Sequence, residues 1–206
     1  MSQRRASNIN RCPECRVNQN FCVCKMILPL TIEGRVSLIV HVRELKLTSN
    51  TAQFIQKMIP HQSQIYIRGK VFDTFEPSEI LNTAGRPLFL YPHEDAIELN
   101  EDFKTKYPGP YHLIIPDGNW HQARRVRRRE EGLKDIPAVK LPPGIHGEYM
   151  LRRAPCPEWV STYEAVAHAL GILESTDVKD KLLNFFRHWV KMTMYGRTQN
   201  KSFLVD

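Results

Sequence analysis

Tyr111 to Pro116 (YHLIIP) is a short apolar run, preceded by Pro108-Gly109-Pro110 and ended by Asp117-Gly118-Asn119-Trp120. An apolar run of this length bounded by turn residues reads as a buried strand. The stretch after it, Asn119 to Glu130, reads as an arginine-rich helix. This strand–turn–helix order constrains the fold more than any other feature. It sets a carboxylate at the C-terminal end of a strand, just before a helix N-terminus, where open α/β sheets bind ligands.

The rest of the chain repeats the alternation. Val36 to Val42 (VSLIVHV), Gln64 to Arg68, Pro87 to Tyr91 and Ala138 to Leu141 read as further strands. Helices are predicted over Thr51 to Ile59, Ser161 to Leu173 and Val178 to Tyr195. The last places Leu182, Phe185, Phe186, Trp189 and Val190 on one face, as a helix packed on a sheet requires. The fold class expected is α/β: a mainly parallel sheet with helices on both faces. Residues 1–10 read as a disordered basic tail, 11–34 as a cysteine-bearing segment and 35–206 as the main α/β domain.

At 206 residues the chain fits one domain with a small appendage. With 42% hydrophobic and 25% charged residues it can build an ordinary core. No apolar run approaches the roughly 20 residues of a membrane helix, and MSQRRASNINR lacks the apolar stretch of a signal peptide. The expectation is a cytoplasmic protein without a membrane partner, with a monomer as the working oligomeric state. The formal charge is +7, and five arginines, Arg124, Arg125, Arg127, Arg128 and Arg129, crowd one short stretch. A local field of that density favours a polyanion such as RNA.

Four of the five cysteines form the pattern Cys12-x2-Cys15-x6-Cys22-x-Cys24. In a cytoplasmic chain metal binding accounts for them better than disulfides do. Two close pairs of thiolates suit one tetrahedral Zn²⁺, and an iron–sulfur cluster is the alternative. Four protein ligands leave no open position, so the zinc would be structural. Cys156 reads as an incidental thiol.

Several polar residues have two readings. Asp117 is either a helix N-cap or a strand-end ligand group. Ser161-x-x-Glu164 has the pattern of a capping box. His41-x2-Glu44, followed by Asn50-Thr51, reads as a polar loop, with acid–base or metal chemistry as the alternative. There is no phosphate-binding glycine loop and no nucleophile elbow.

Together these motifs resemble the DTW-domain family. That family carries an N-terminal cysteine cluster, a strand followed by Asp-x-Thr-Trp, and a Ser-Thr-x-Glu-Ala helix start. Here they read Cys12/Cys15/Cys22/Cys24, Asp117-Gly118-Asn119-Trp120 and Ser161-Thr162-Tyr163-Glu164-Ala165. His41-Val-Arg-Glu44, Asn50-Thr51, Leu90-Tyr91-Pro92 and Tyr149-Met-Leu-Arg152-Arg153 also match in order. Asn119 stands in place of the name-giving threonine, which puts any role for a hydroxyl there in doubt.

The resemblance implies a SPOUT-like fold with a C-terminal trefoil knot. It also implies a tRNA-uridine aminocarboxypropyltransferase. S-adenosylmethionine would donate its 3-amino-3-carboxypropyl group to N3 of a tRNA uridine and leave as methylthioadenosine. On this reading Asp117 is the candidate base, and Asn119 and Trp120 complete the catalytic set. The donor would lie among Tyr91, Pro92, Pro116, Gly118, Arg152, Ser161, Thr162 and Glu164. Its carboxylate would sit at the Ser161 helix start, with Arg152 or Arg153 nearby. The arginines from 124 to 129 would hold tRNA phosphates, and Trp120 would stack on the target base. The alternatives are a methyltransferase of the same fold and a non-catalytic zinc-containing RNA-binding protein.

Overall fold

The computed structural model describes residues 10–69, 76–118, 120–152, 156 and 159–204. All of the expected basic tail except Asn10 lies outside the described residues, as do Asn119 and Arg153. For Trp120 only the backbone is described.

Six strands carry the fold: β1 (Arg35–His41), β2 (Ser63–Arg68), β3 (Arg86–Leu90), β4 (Ile97–Glu98), β5 (Tyr111–Asp117) and β6 (Ala138–Lys140). They form one sheet in the order β2-β1-β5-β3-β6-β4, and every pairing is parallel. The central strand β5 is buried along its whole length, and β1 over five of its seven residues. That is the continuous apolar signature of strands covered on both faces.

The helices are α1 (Ala52–Met58), α2 (Pro77–Leu81), α3 (Glu101–Lys106), α4 (Trp120–Arg129), α5 (Thr162–Leu173) and α6 (Thr176–Thr198). Side chains alternate across the sheet and feed two cores. Val36, Leu38, Leu88, Leu113 and Ile115 join Phe54 and Ile55 of α1, Val166 and Leu170 of α5, and Phe186 and Trp189 of α6. On the opposite face Ile39, Phe89 and Ile114 meet Ile80 of α2, Val126 of α4, Leu133 and Ile136. The larger core also takes in Cys12, Cys15, Val17 and Val23, so the cysteine segment is packed into the main body. Trp189 Nε1 donates to the Cys15 carbonyl at 3.4 Å.

The link between the cysteine segment and β1 is held by Glu174. Its carboxylate accepts from the N–H groups of Glu33 (3.0 Å) and Gly34 (2.9 Å). A Cβ at Gly34 would collide with the carbonyl oxygen of Tyr111, so the chain passes here only because there is none.

The predicted elements recur within a few residues. The last helix is longer than its predicted span of 178–195. It begins one residue after Ser175, whose side chain accepts from the Val178 N–H, and ends at Gln199 in the left-handed region. The sequence reading left out α2, α3 and β4, each of six residues or fewer.

Candidate active site

Because all strands run the same way, the loops after β1, β3, β5 and β6 open on one edge of the sheet. They enclose a cleft of about 640 Å³, the size of a small-molecule site. Its lining includes Glu44, Ser49 and Asn50 after β1, Tyr91 and Pro92 after β3, and Asp117 and Gly118 at β5. Lys140 and Leu141 at β6, Tyr149, Arg152 and Trp159 of the following loop, and Ser161 and Thr162 at the start of α5 complete it.

Asp117 is a buried carboxylate of this cleft, 9% exposed. The β1–β5 register sets it beside Val40, level with the end of β1. Both its oxygens are held by side chains from other elements. Thr162 Oγ1 donates to Oδ1 at 2.5 Å, and Asn50 Nδ2 donates to Oδ2 at 2.8 Å. Burial raises the Asp117 pKa above the ordinary aspartate value. The Glu44 charge adds to this rise, while the Thr162 and Asn50 hydrogen bonds and Arg152 oppose it.

On one wall the 8%-exposed Glu44 accepts from Arg152 Nη2 at 2.7 Å through Oε2. Arg152 Nε also donates to Ser49 Oγ at 3.0 Å, and the Tyr149 hydroxyl donates to the Ser49 carbonyl. Burial works against the Arg152 charge, but Glu44 outweighs it and raises the pKa of the guanidinium. The loop bearing Glu44 is braced from behind, where Arg16 Nη1 donates to the carbonyls of Leu45 (2.7 Å) and Leu47 (3.0 Å).

The capping box expected at Ser161 is present. Ser161 Oγ accepts from the Glu164 N–H, and Glu164 Oε2 accepts from the Ser161 N–H at 2.7 Å. Glu164, 1% exposed, also takes the Glu148 N–H, so it is a structural anchor beneath the cleft and not part of its wall. Of the residues expected at the donor site, Tyr91, Pro92, Pro116, Gly118, Arg152, Ser161 and Thr162 line the cleft. Sequence reasoning gave no site role to Ser49, Tyr149 or Trp159, and offered Glu44 and Asn50 only as a polar loop with acid–base or metal chemistry as the alternative. Glu44, Asn50 and Tyr149 nevertheless fell in segments that matched in order, the one available signal.

The four cysteine sulfurs lie within 4.8 Å of one another. The hydrogen-bond-range contacts are Cys12–Cys22 at 3.5 Å, Cys12–Cys24 at 3.6 Å and Cys15–Cys22 at 3.8 Å. A Zn–S bond of about 2.3 Å gives a tetrahedron edge of about 3.8 Å, so these sulfurs fit such an ion. A disulfide bond, about 2.05 Å long, does not fit these spacings. The backbone N–H of Cys15 is the main influence lowering the Cys12 pKa to about 6, whereas burial raises those of Cys15 and Cys24, so their thiolates need a cation to offset that burial.

On the outer side of α4 a second hollow of about 490 Å³ is lined by Tyr91, His93, His121, Arg124, Arg125, Arg127, Arg128 and Lys134. Arg124, Arg125, Arg128 and Arg129 are exposed. Arg127 is half-buried and donates to the Ile136 carbonyl at 3.1 Å, so it also pins α4 to the chain entering β6. Tyr91 lines both cleft and hollow. Among the described residues no helix is long and apolar enough to cross a membrane.

The network around Asp117 yields a stability prediction. Its folded pKa lies above its unfolded value, so the native state binds this proton more tightly. Ionisation therefore costs stability, a cost absent below the ordinary aspartate pKa and growing as pH rises towards the folded value. Asn at this position can still accept from Asn50 and pair with the Thr162 hydroxyl. Denaturant unfolding of Asp117→Asn should give a stability at neutral pH equal to or above wild type, with the Asp117-linked decline removed.

The DTW domain model matches residues 9–194. The chain is 28% identical over 171 residues to tRNA-uridine aminocarboxypropyltransferase 2 of Drosophila melanogaster, covering 81% of this chain and 67% of that protein. It is 27% identical over 177 residues to the protein of the same name from Macaca fascicularis, covering 84% of this chain and 59% of the relative. The match thus spans about three fifths to two thirds of the curated relatives' length. No solved structure matches. With a family model running through the cysteine cluster, the cleft and most of α6, the chain belongs to the DTW-domain family.

Proposed function

We propose that this protein is a tRNA-uridine aminocarboxypropyltransferase that uses S-adenosylmethionine and has a SPOUT-like C-terminal path. The observation that carries the reading is Asp117. It is a buried carboxylate at the strand-end cleft, fixed through both oxygens by Thr162 and Asn50. The names of the relatives supply the reaction class.

The uridine N3–H is a weak acid, and its nitrogen must lose a proton to become a nucleophile. Asp117 takes that proton. Its raised pKa makes it a stronger base than an exposed aspartate, and the two hydrogen bonds fix its direction. N3 bonds to the propyl carbon attached to sulfur, and the bond from that carbon to sulfur breaks. The electron pair stays on sulfur, releasing neutral methylthioadenosine. The sulfonium already activates the carbon, so orientation within the cleft supplies most of the remaining effect. The donor adenosine lies among the loops after Tyr91, after Pro116 and before Ser161. The basic hollow next door holds tRNA phosphates, with Tyr91 as the shared wall. The Trp159 indole, 38% exposed on the cleft wall, offers an aromatic face for a splayed base. The four cysteines hold a structural zinc.

Donor labelled separately on its methyl and carboxyl carbons tests the reaction. Carboxyl label should enter tRNA while methyl label leaves with methylthioadenosine. Asp117→Asn should retain its fold and lose roughly 10²-fold or more in rate, as expected for a missing general base. Methyl label in tRNA would reject the reading in favour of methyl transfer.

Replacing Arg124, Arg125 and Arg128 together with glutamine should weaken tRNA binding. It should also lower the slope of log affinity against log salt, by about 0.7–0.9 per lost phosphate contact. An unchanged slope, measured by filter binding across a salt series, would move the RNA surface elsewhere. Elemental analysis should give about one zinc per chain, and Cys12→Ser with Cys15→Ser should lose it and lower stability. Retained metal in that variant would end the zinc assignment.

A further inference from the structure

The transfer step leaves three charged side chains of the cleft without a task, Lys140 at β6 and the paired Glu44 and Arg152. Glu44 lies on the cleft wall, nearly buried, with Oε2 on Arg152 Nη2 at 2.7 Å. Arg152 is steadied by Ser49 Oγ at 3.0 Å, and the turn holding Glu44 and Ser49 is fixed by Arg16 on the carbonyls of Leu45 and Leu47. A carboxylate and a guanidinium placed side by side on a preorganised wall are complementary to a zwitterion, since each faces the opposite charge.

At the start of α5, by contrast, the polar side chains are already engaged. Ser161 Oγ takes the Glu164 N–H, and the Thr162 hydroxyl is on Asp117. The charged side chains of the lining other than Asp117 lie elsewhere, Lys140 at β6 and the paired Glu44 and Arg152 on the other wall, and only that pair offers both signs of charge side by side. We propose that Glu44 and Arg152 bind that end of the donor, Glu44 taking the α-ammonium and Arg152 the α-carboxylate. The inference rests on the aminocarboxypropyl reading above. It gives that reading a source of selectivity: anchoring the propyl chain by both charges decides which carbon of the sulfonium is presented for attack, and the methyl group has no such anchor.

Calorimetric titration with three nucleosides tests the assignment. Methylthioadenosine lacks the amino-acid end. S-adenosylhomocysteine has that end on a neutral sulfur, and S-adenosylmethionine has it beside a charged one. Glu44→Gln should weaken the two amino-acid-bearing ligands by roughly ten- to a hundredfold, the loss of a charge-assisted hydrogen bond. Methylthioadenosine should stay within about twofold, since its contacts are unchanged. Arg152→Gln should give the same pattern, and it carries the test alone if Glu44→Gln fails to fold. Equal losses for all three ligands would mean that the pair only shapes the cleft. A loss confined to S-adenosylmethionine would mean that Glu44 answers the sulfonium. Either result overturns this proposal while leaving the donor reading intact. A wild-type protein that binds none of the three would sink the donor reading itself.

Discussion

Keeping a carboxylate in the main body of this protein, away from most of the solvent, is the demand around which the cleft is organised. Burial of an unpaired charge is costly, and proteins meet the cost with hydrogen bonds from fixed donors. Asp117 ends the most deeply buried strand, and its two donors come from the loop before α1 and from the first residue of α5. Satisfying one side chain therefore fixes the mutual position of three elements far apart in the chain. The capping box at Ser161 supports the same arrangement from below. It sets the start of α5, and with it the Thr162 hydroxyl, through a buried Glu164 that also ties down the loop at Glu148.

Much of the scaffold was legible in the sequence because its signals are local. The apolar runs of β1 and β5, the Pro-Gly-Pro turn and the amphipathic face of α6 are contiguous patterns, and their predicted spans agree to within a few residues. The short elements were less visible. α3 buries Phe103 alone among its residues, too little for a periodic stripe. Its end signals were nonetheless present: Asn100 as cap, then Glu101 and Asp102, then Lys104 and Lys106. The sheet order lay beyond local patterning, because β5 lies between β1 and β3 although β2, β3 and β4 separate it from β1 in the chain. Partner choice at the site lay beyond it as well. Asp117 meets residues 67 positions before it and 45 after it. The sequence offered Asp117 as a cap of its own helix or as a strand-end ligand group but named no partner for it, and the pairing of Glu44 with Arg152, 108 positions apart, had no local trace.

The two concave surfaces divide the work by chemistry. The cleft brings together buried carboxylates, a paired guanidinium and apolar loop residues, a setting for a small, partly charged ligand. The hollow along α4 is open and lined by four arginines and a lysine beside Tyr91, His93 and His121, a surface suited to a polyanion held through its backbone. The arginines are not equivalent within it. Arg127 helps hold α4 in place through Ile136, and its exposed neighbours are the ones turned to solvent. Tyr91 lines both surfaces, so the proposed RNA-binding face of α4 adjoins the cleft.

The junction at Gly34 has a mechanical meaning. A segment joined to a domain by an open, solvated linker swings, and a ligand can be trapped by its closure. Here the Glu174 carboxylate clamps two successive backbone N–H groups, and the chain runs against the Tyr111 carbonyl with no room for a side chain. The joint is a weld and not a hinge. Residues 11–34 have no open linker to pivot on: they share the sheet's larger core, and through Arg16 they also reach round to brace the Glu44 loop at the carboxyl edge, where the cleft opens.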